Sequence, residues 1–331
     1  MDLMKAIVYH RYGSPDVLQC EEIEKPAAGN NEVLIRVRAA SVNPLDWHFM
    51  RGTPYMLRLA AGLRKPKVTR LGVDVAGQVE AVGKDVTQFK PGDEVFGSCR
   101  GAFAEYVCTS EPALVLKPDS VTFEQAAAVP VAAFTALQGL RDKGRIQPGQ
   151  AVLINGAAGG VGTLAVQIAK SFGAHVTGVC STRNVDLVRS IGADRVIDYT
   201  QQDFTTSGPS YDIILDCVGN HSLSACRRIL NPQGSYIEIA GSADRWMFGG
   251  LARMFAMPVL SWFVSQTLVT LLARRSKEDL TTMRELMQAG KVTPVIDRSY
   301  PLSQVPEAIR YLEEGHARGK VVITFEHNDK T

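Results

Sequence analysis

The stretch VLINGAAGGVGTLAVQIAKSF, residues 152–172, passes from an apolar run through a glycine-rich turn into an amphipathic segment. The apolar residues of that segment recur at helical spacing: Val161, Leu164, Ala165, Ile168, Ala169 and Phe172. Glycines let a backbone approach a ligand closely, and a helix N-terminus presents N–H groups and the positive end of the helix dipole. Strand, turn and helix in this order predict a site for the pyrophosphate of a dinucleotide.

The turn departs from the strict G-x-G-x-x-G pattern, because Ala157 stands where the first glycine is usual. Taken alone, such a loop could also be a tight turn with a purely structural role and no bound nucleotide. Further strand-like and helical segments alternate up to about Ile239, and this alternation is typical of a parallel doubly wound sheet. We therefore predict a cofactor loop made of Gly156, Ala157, Ala158, Gly159, Gly160, Val161 and Gly162.

The composition is that of a globular protein with two domains. The chain has 331 residues, 45% of them hydrophobic and 21% charged, and chains above about 250–300 residues exceed what one core supports. A net charge of +2 does not favour nucleic acid or an anionic membrane as the main partner. The six cysteines form no CxxC pair, which indicates reduced thiols and a cytoplasmic location.

The apolar stretch Trp246–Leu272 is long enough to raise the question of a membrane span. Arg253 and Pro258 interrupt it, so we expect buried helices or a flap over a pocket rather than stable membrane insertion. An interfacial or oligomer-contact role is the alternative. The N-terminus runs directly into a strand-like segment and shows no secretion signal.

The residues after the second strand of the alternating region indicate which dinucleotide binds. An NAD site places Asp or Glu about twenty residues past the glycines, to accept from the ribose 2′-hydroxyl. The sequence there is Cys180-Ser181-Thr182-Arg183-Asn184, with no acid. Ser181 and Arg183 are suited to a 2′-phosphate, and Tyr199 to the adenine or the same phosphate. We therefore predict NADP(H) as the cofactor. In the alternative interpretation, Ser181 caps a helix and Arg183 is a solvated loop residue.

Several motifs together resemble the zinc-free quinone oxidoreductase branch of the medium-chain dehydrogenase/reductase superfamily. They cover nearly the whole chain: NPLD at 43–46, KPGDEVFG at 90–97, GAFAEY at 101–106, GAAGGVG at 156–162, CSTRN at 180–184 and GKVVI at 319–323. The resemblance implies an α/β fold with a GroES-like β-barrel domain built from both chain ends, residues 1–123 and 295–331. A Rossmann domain with a doubly wound parallel sheet, residues 124–294, is expected between them, and the active site in the cleft.

The zinc-dependent members of this superfamily differ at their metal-binding positions. They carry a catalytic Cys where Asn43 stands and Gly-His-Glu where this sequence reads Gly72-Val73-Asp74. Their third ligand comes from the stretch after Cys108, where no further Cys occurs before Cys180. Their structural zinc needs four closely spaced Cys, against two here, Cys99 and Cys108. Because zinc needs three or four converging ligands, we predict no bound metal.

Without a Lewis acid, oxidation of a simple alcohol lacks a group that polarises the oxygen. A quinone or an α,β-unsaturated carbonyl needs less help, because charge develops on a conjugated oxygen. We therefore predict NADPH-dependent hydride transfer to such an acceptor. A noncatalytic NADPH-binding redox sensor or scaffold and an alcohol or aldehyde oxidoreductase stay open as alternatives. The resemblance also leads us to expect a homodimer or homotetramer.

The resemblance gives each further candidate residue an expected role. Asn43 is expected near the nicotinamide and its ribose, with an amide that donates to a substrate oxygen. Asp46 is expected either to orient this loop or to cap the turn. Tyr55 is a candidate proton donor, with packing as its alternative. Thr135 is expected to face the nicotinamide half of the cofactor. After the fourth and fifth strands, small residues are expected to leave room for the cofactor, at Val218, Gly219, Ala240 and Gly241. Lys320 is expected to approach the cofactor, with a solvated strand end as the alternative.

Overall fold

The computed structural model describes residues 2–206, 208–239, 257, 260–261 and 263–326. The chain divides into two compact units. Unit one consists of Met1–Val131, Arg275–Gly290 and Pro294–Thr331, and unit two of Ala132–Arg274 and Lys291–Thr293. Among the helices of the described residues, none combines the length and the apolar character that crossing a bilayer requires.

The described strands and helices are numbered along the chain. The strands are β1 (Leu3–Val8), β2 (Gln19–Glu24), β3 (Glu32–Val42), β4 (Asp74–Val82), β5 (Glu94–Ser98), β6 (Tyr106–Ser110), β7 (Leu114–Leu116), β8 (Ala151–Asn155), β9 (His175–Cys180), β10 (Arg195–Asp198), β11 (Tyr211–Asp216), β12 (Leu230–Ile239), β13 (Thr267–Leu271), β14 (Ile296–Pro301) and β15 (Lys320–Thr324). The helices are α1 (Pro44–Arg51), α2 (Leu57–Ala61), α3 (Phe123–Ala127), α4 (Pro130–Leu137), α5 (Gly160–Ser171), α6 (Val185–Ser190), α7 (Leu223–Arg228), α8 (Lys277–Gln288) and α9 (Val305–Glu313).

Unit one is built on a sheet with the strand order β14-β15-β3-β4-β5-β7, in which β6 also pairs with β3. Two register shifts along β3 bend this strand of 11 residues and let it serve several partners. Antiparallel pairing places Val321 of β15 opposite Val42, and Asp74 of β4 opposite Ser41. The ends of three strands therefore meet where β3 passes into α1.

Unit two is built on a sheet with the strand order β10-β9-β8-β11-β12-β13, and all its strand pairs are parallel. The chain order reverses at β8, which lies between β9 and β11. In sheets of this kind, nucleotides bind beyond the carboxyl ends of the strands at such a reversal. The predicted α/β fold, with a doubly wound parallel sheet and a second, β-rich part, is confirmed.

The limits of the two units differ from the boundaries expected from the sequence. Residues 124–131 and 275–290 were expected in the nucleotide-binding domain, but they group with unit one. The reason is packing: α3 lies against β3 and β4, and α8 lies against β7. Helical periodicity identifies such segments without indicating which sheet they cover.

We expected the stretch Trp246–Leu272 to form buried helices or a flap, and this expectation is wrong for the last part of the stretch. Thr267–Leu271 forms β13, which pairs with β12 at the edge of the parallel sheet. Leu268 and Leu271 are buried there, and the β-branched residues between them favour an extended backbone. Residues 246–256, 258, 259 and 262 of the stretch lie outside the described residues.

Candidate functional site

A buried polar cluster lies in unit one at the meeting point of β3, β4 and β15. We call it the Lys320 cluster; its members are Ser41, Asn43, Asp74 and Lys320. All four side chains are buried, with the residue of Lys320 only 5% exposed and that of Asp74 fully covered. The strand registers explain the grouping, because Lys320 and Asn43 each stand one position beyond the paired residues Val321 and Val42. Lys320 is therefore not the solvated strand end of the alternative interpretation.

The hydrogen bonds of the cluster define the orientation of the Asn43 amide. Lys320 Nζ donates to Asn43 Oδ1 at 2.5 Å, and Asn43 Nδ2 donates to Asp74 Oδ2 at 2.9 Å and to the Ser41 carbonyl at 3.3 Å. An ammonium only donates and a carboxylate only accepts, so the amide fits in one orientation. Both amide N–H groups are engaged within the cluster. This geometry does not support the expected role of Asn43 as a donor to a substrate oxygen.

Asp74 balances the charge of Lys320 inside the cluster. Its Oδ2 accepts from Ser41 Oγ at 2.8 Å and from Lys320 Nζ at 3.4 Å, and its Oδ1 accepts from the Val131 backbone N–H at 3.0 Å. Burial lowers the pKa of Lys320 below its ordinary value, while the carboxylates of Asp74 and Asp46 act in the opposite direction. The cluster thus holds a desolvated ammonium beside a buried carboxylate. Two of the three N–H groups of Lys320 have partners among the described residues.

Asp46 makes two backbone hydrogen bonds that fit both interpretations, the orientation of this loop and the capping of the turn, and its contact with a cofactor stays a prediction. Its Oδ2 accepts from the Asn43 backbone N–H at 2.8 Å and its Oδ1 from the Gly72 backbone N–H at 2.9 Å. The first bond caps α1, and the second ties α1 to the segment before β4. Burial raises the pKa of Asp46 to about 7. Both carboxyl oxygens serve the backbone, so this residue supports the position of Asn43.

Tyr55, the candidate proton donor, lies apart from the cluster. Its side chain is 63% exposed, and the guanidinium of Arg58 lies 4.9 Å from its ring centroid. No contact in the described structure connects it to the four cluster residues. The role of Tyr55 as a proton donor therefore stays a prediction, and the titratable side chains that lie together are those of the cluster.

The glycine-rich loop of unit two connects β8 to α5 as predicted. The first helical hydrogen bond of α5 runs from Thr163 N to Gly159 O at 2.9 Å, so the N–H groups of Gly160, Val161 and Gly162 have no acceptor within the helix. No side chain of the described residues caps this end. The loop therefore presents three unpaired helical donors, as an anion site at a helix N-terminus requires.

The glycines of the loop differ in what surrounds them. A Cβ at Gly162 would lie 2.1 Å from the Gly156 carbonyl oxygen, so only glycine lets α5 pack this closely on the turn. A Cβ at Gly159 would lie 3.5 Å from that same oxygen, and no other described atom comes within 4 Å. Among the described residues, only this oxygen lies close to a side chain at Gly159. The three helical N–H groups beside it suit a pyrophosphate.

A second buried network, which the sequence did not reveal, fixes the neighbouring loop after β11. Asp216 is 1% exposed, and its Oδ1 accepts from Asn155 Nδ2 at 2.9 Å, Val218 N at 3.0 Å and Gly219 N at 2.7 Å. Its Oδ2 accepts from Tyr236 Oη at 2.8 Å, and burial raises the pKa of that hydroxyl. The network holds Val218 and Gly219, both predicted cofactor residues, beside the glycine loop. The signal in the sequence that could have revealed this network is Asp216 itself, an acid at the end of an apolar strand.

The residues predicted for the adenosine 2′-phosphate gather at the carboxyl ends of β9 and β10. Ser181 follows β9 directly, and its Oγ accepts from Asn184 Nδ2 at 3.2 Å. Arg183 is exposed in the next turn, and exposed Tyr199 donates its backbone N–H to Cys180 O at 3.0 Å. The structure therefore brings these three predicted residues to one edge of the sheet.

Asp198, at the end of β10, is an acid that the sequence reasoning did not consider. Its Oδ2 accepts from Thr182 Oγ1 at 2.6 Å, and its Oδ1 accepts from Thr200 N at 2.9 Å. The hydrogen bond from Thr182 holds the pKa of Asp198 below its ordinary value. The carboxylate is thus ionised and engaged by the two threonines.

The remaining predicted residues fall into two groups. Thr135 is buried on α4 in unit two. Ala240 and Gly241 lie outside the described residues, so their expected roles stay predictions. In the part of the chain that the structure describes, no three His, Cys, Asp or Glu side chains gather as a metal site would need.

Comparison with known proteins identifies the family. The family model of the alcohol dehydrogenase GroES-like domain matches residues 29–119, and that of the zinc-binding dehydrogenases matches residues 191–323. The chain is 35% identical to a chloroplastic quinone-oxidoreductase of Triphysaria versicolor, over 97% of this chain and 98% of that protein. It is 34% identical to the chloroplastic NADPH-dependent alkenal/one oxidoreductase of Arabidopsis thaliana, over 97% of this chain and 79% of that protein.

The solved structures agree with the sequence relatives. The quinone oxidoreductase of Coxiella burnetii superposes with a TM-score of 0.86 at 31% identity, covering 98% of this chain and 100% of that one. The likeness in fold thus extends over nearly the whole of both chains, including both predicted parts. The chain belongs to the quinone oxidoreductase branch of the medium-chain dehydrogenase/reductase superfamily.

Proposed function

We propose that this chain is an NADPH-dependent, zinc-independent reductase whose acceptor is a quinone or an α,β-unsaturated carbonyl. The relatives reported above carry these activities in their names, quinone oxidoreductase and alkenal/one oxidoreductase. The observation that carries the proposal is the contact between Lys320 Nζ and Asn43 Oδ1. Asn43 stands where the zinc-dependent members have a catalytic Cys. The ammonium group of Lys320 lies against Asn43 and places a cation beside that position.

The nucleotide half of the proposal rests on unit two. The open helix N-terminus at Gly160–Gly162 would hold the pyrophosphate, and Ser181 with Arg183 would hold the 2′-phosphate. When bound, the reduced nicotinamide supplies the hydride. Asp216 keeps the Val218–Gly219 backbone beside the glycine loop and so keeps the site in shape before a ligand arrives.

The acceptor half rests on the Lys320 cluster. Hydride addition to a quinone or enone places negative charge on a conjugated oxygen, and a positioned donor in a site of low dielectric stabilises that charge. Lys320 is the cluster's cation, and it has a third N–H beyond those given to Asn43 and Asp74. Burial lowers the pKa of Lys320, which makes release of a proton from Nζ easier than for an exposed lysine. We therefore assign the donor role to Lys320 and a supporting role to Asn43.

The location and assembly of the chain are also proposals. A cytoplasmic location stays a prediction, because named relatives include chloroplastic proteins. A homodimer or homotetramer stays a prediction as well, and light scattering of the purified protein measures it directly.

One experiment tests the proposed function. Purified protein is treated with a strong chelator, its zinc content is measured, and NADPH oxidation is followed with quinones, enones and simple aldehydes. Turnover of quinones or enones by the metal-depleted protein is the expected result. Tight NADPH binding without turnover of any acceptor would favour the sensor. Alcohol or aldehyde turnover that is lost on metal removal would favour the zinc enzyme.

A further inference from the structure

The segment between Trp47 and Val73 in unit one has an unusual charge distribution. It contains six Lys or Arg residues and no Asp or Glu, although the whole chain carries a net charge of only +2. The near-neutral total therefore hides a strongly basic region. The same segment also contains a concentration of exposed apolar side chains. We call the combined surface the basic apolar face; its residues are Met56, Leu59, Leu63, Arg64, Lys65, Lys67 and Val68.

The apolar side chains of this face extend into solvent. Met56 is 62% exposed, Leu59 63% and Leu63 68%, and Val68 is 48% exposed. Five of the twelve large hydrophobic residues that are exposed in the described chain lie between positions 55 and 68. Arg64, Lys65 and Lys67 are exposed among them. Such a concentration of exposed apolar side chains within one short segment is typical of an interaction site.

The backbone holds these side chains outward in a defined arrangement. Tyr12 Oη donates to the Gly62 carbonyl at 2.6 Å, and Arg58 Nε donates to the Gly52 carbonyl at 2.9 Å. The backbone N–H of Lys67 donates to Ala61 O at 2.8 Å, which closes the loop after α2. These hydrogen bonds fix the backbone of the segment, while the apolar and cationic side chains of the face remain exposed.

We propose that the basic apolar face binds the surface of an anionic lipid membrane. Apolar side chains that enter the headgroup region, flanked by Lys and Arg that meet anionic lipids, are the two components of interfacial binding. The proposal concerns attachment to one face of a bilayer. It goes beyond the expectation that the net charge of +2 does not favour an anionic membrane as the main partner.

Other occupants fit the observations less well. A second copy that docked by the same face would bring the cations of both copies together, because a symmetric interface pairs each patch with itself. A small apolar acceptor would use the hydrophobic side chains but gives no role to Arg64, Lys65 and Lys67. Nucleic acid would use the cations but not Met56, Leu59 and Leu63. An anionic lipid surface uses both sets.

The test is cosedimentation of the full-length protein with vesicles of phosphatidylcholine alone and of phosphatidylcholine with phosphatidylglycerol. One variant reverses three charges, Arg64→Glu, Lys65→Glu and Lys67→Glu. A second removes apolar area, Met56→Ser, Leu59→Ser and Leu63→Ser. The matched control reverses three exposed lysines elsewhere, Lys84→Glu, Lys90→Glu and Lys143→Glu. None of these residues belongs to the Lys320 cluster or the nucleotide site, so circular dichroism and turnover of a water-soluble quinone verify folding.

We expect binding to the anionic vesicles only, and weaker binding at high salt. Each cation near an anionic surface strengthens binding about fivefold, so loss of three cations and gain of three anions should weaken binding by at least about a hundredfold. The apolar variant should lose at least about tenfold, and the control should bind within about threefold of the wild type. No binding to either vesicle overturns the proposal, and so does equal loss in the control. A dimer that the apolar variant alone abolishes, without vesicle binding, would assign the face to a second copy instead.

Discussion

Lys320 Nζ lies 2.5 Å from Asn43 Oδ1, although 277 positions separate the two residues in the chain. The pairing of β15 with β3 makes this contact, because Val321 lies opposite Val42. The last described strand therefore completes a site that begins near the N-terminus. Asp74 enters the same site from β4, and the three side chains share one set of hydrogen bonds.

Lys320→Met tests whether the buried cation acts in the reaction or only in the fold. The variant leaves the Asp74 carboxylate buried without its counter-charge, which costs about 3–5 kcal/mol of unfolding free energy. The double variant Lys320→Met with Asp74→Asn should regain most of that loss, since both charges are gone. Its kcat for an enone should stay about 100-fold or more below the wild type, because the donor is still absent. Urea unfolding and steady-state kinetics measure the two effects separately.

Recovery of kcat in the double variant would assign Lys320 a purely structural role. Lys320→Arg is the conservative comparison, because it keeps the charge but changes the donor geometry. We expect it to retain stability better than the Met variant and to recover only part of kcat.

Gly162→Ala and Gly159→Ala form a matched pair for the nucleotide site. The Cβ at Gly162 would lie 2.1 Å from the Gly156 carbonyl oxygen, so this variant should lose stability even without NADPH. The Cβ at Gly159 meets no described atom closer than 3.5 Å, so the second variant should fold with nearly unchanged melting temperature. It should nonetheless bind NADPH at least about tenfold more weakly, because its methyl group projects into the space left for the pyrophosphate. Thermal unfolding and nucleotide titration report the two effects, and unchanged NADPH affinity in Gly159→Ala would contradict the assignment.

Arg183→Ala tests the preference for NADPH. A charge-assisted bond to the 2′-phosphate contributes about 1.5–3 kcal/mol, so the KM for NADPH should rise about 10- to 100-fold. The KM for NADH should change less than about twofold, because that cofactor has no 2′-phosphate. Steady-state kinetics with both cofactors gives the ratio. An equal rise for both would mean that Arg183 supports the loop without contacting the phosphate.

The sequence predicts the glycine loop and the parallel sheet well, because both depend on local order along the chain. Gly156–Gly162 and the alternating strands are read within windows of a few residues. The Lys320 cluster depends on strand register across most of the chain, which local patterns do not specify. Local patterns also do not show that Lys320 and Asp74 are the hydrogen-bond partners of the Asn43 amide. They therefore predict a donor role toward substrate for an amide whose N–H groups are already engaged. Thr267–Leu271 was misassigned because a short apolar run fits a buried helix and an edge strand equally.

Tyr236→Phe tests the buried network under the nucleotide loop. The variant removes the donor to Asp216 Oδ2, and a buried acceptor left unpaired costs about 1–3 kcal/mol. Tyr211→Phe is the matched control, because Tyr211 is buried to a similar extent but its hydroxyl has no hydrogen-bond partner among the described residues. We expect the control to be neutral or slightly more stable. Urea unfolding compares the two, and an equal loss in both would show that the hydrogen bond to Asp216 contributes nothing of its own.

Asp46 makes the stability of unit one depend on pH. Burial raises its pKa from 3.8 to about 7, so between these values the folded state binds the proton more tightly than the unfolded state. The unfolding free energy contributed by Asp46 should therefore fall as pH rises from about 4 to about 7, and stay level above that. The shift corresponds to about 4 kcal/mol, and it already includes the opposing effect of the backbone N–H groups of Asn43 and Gly72, which favour the ionised form.

Asp46→Asn isolates this contribution from that of other titrating groups. The Asn side chain does not ionise, so its own contribution to stability does not change with pH, and it can accept from only one of the two N–H groups that Asp46 serves. The unfolding free energy of the wild type minus that of the variant, measured by urea unfolding from pH 4 to pH 8, should fall by about 4 kcal/mol toward neutral pH. Parallel curves would show that the pKa of Asp46 is not raised. A difference that grows with pH would show that the two backbone hydrogen bonds outweigh burial and hold Asp46 ionised.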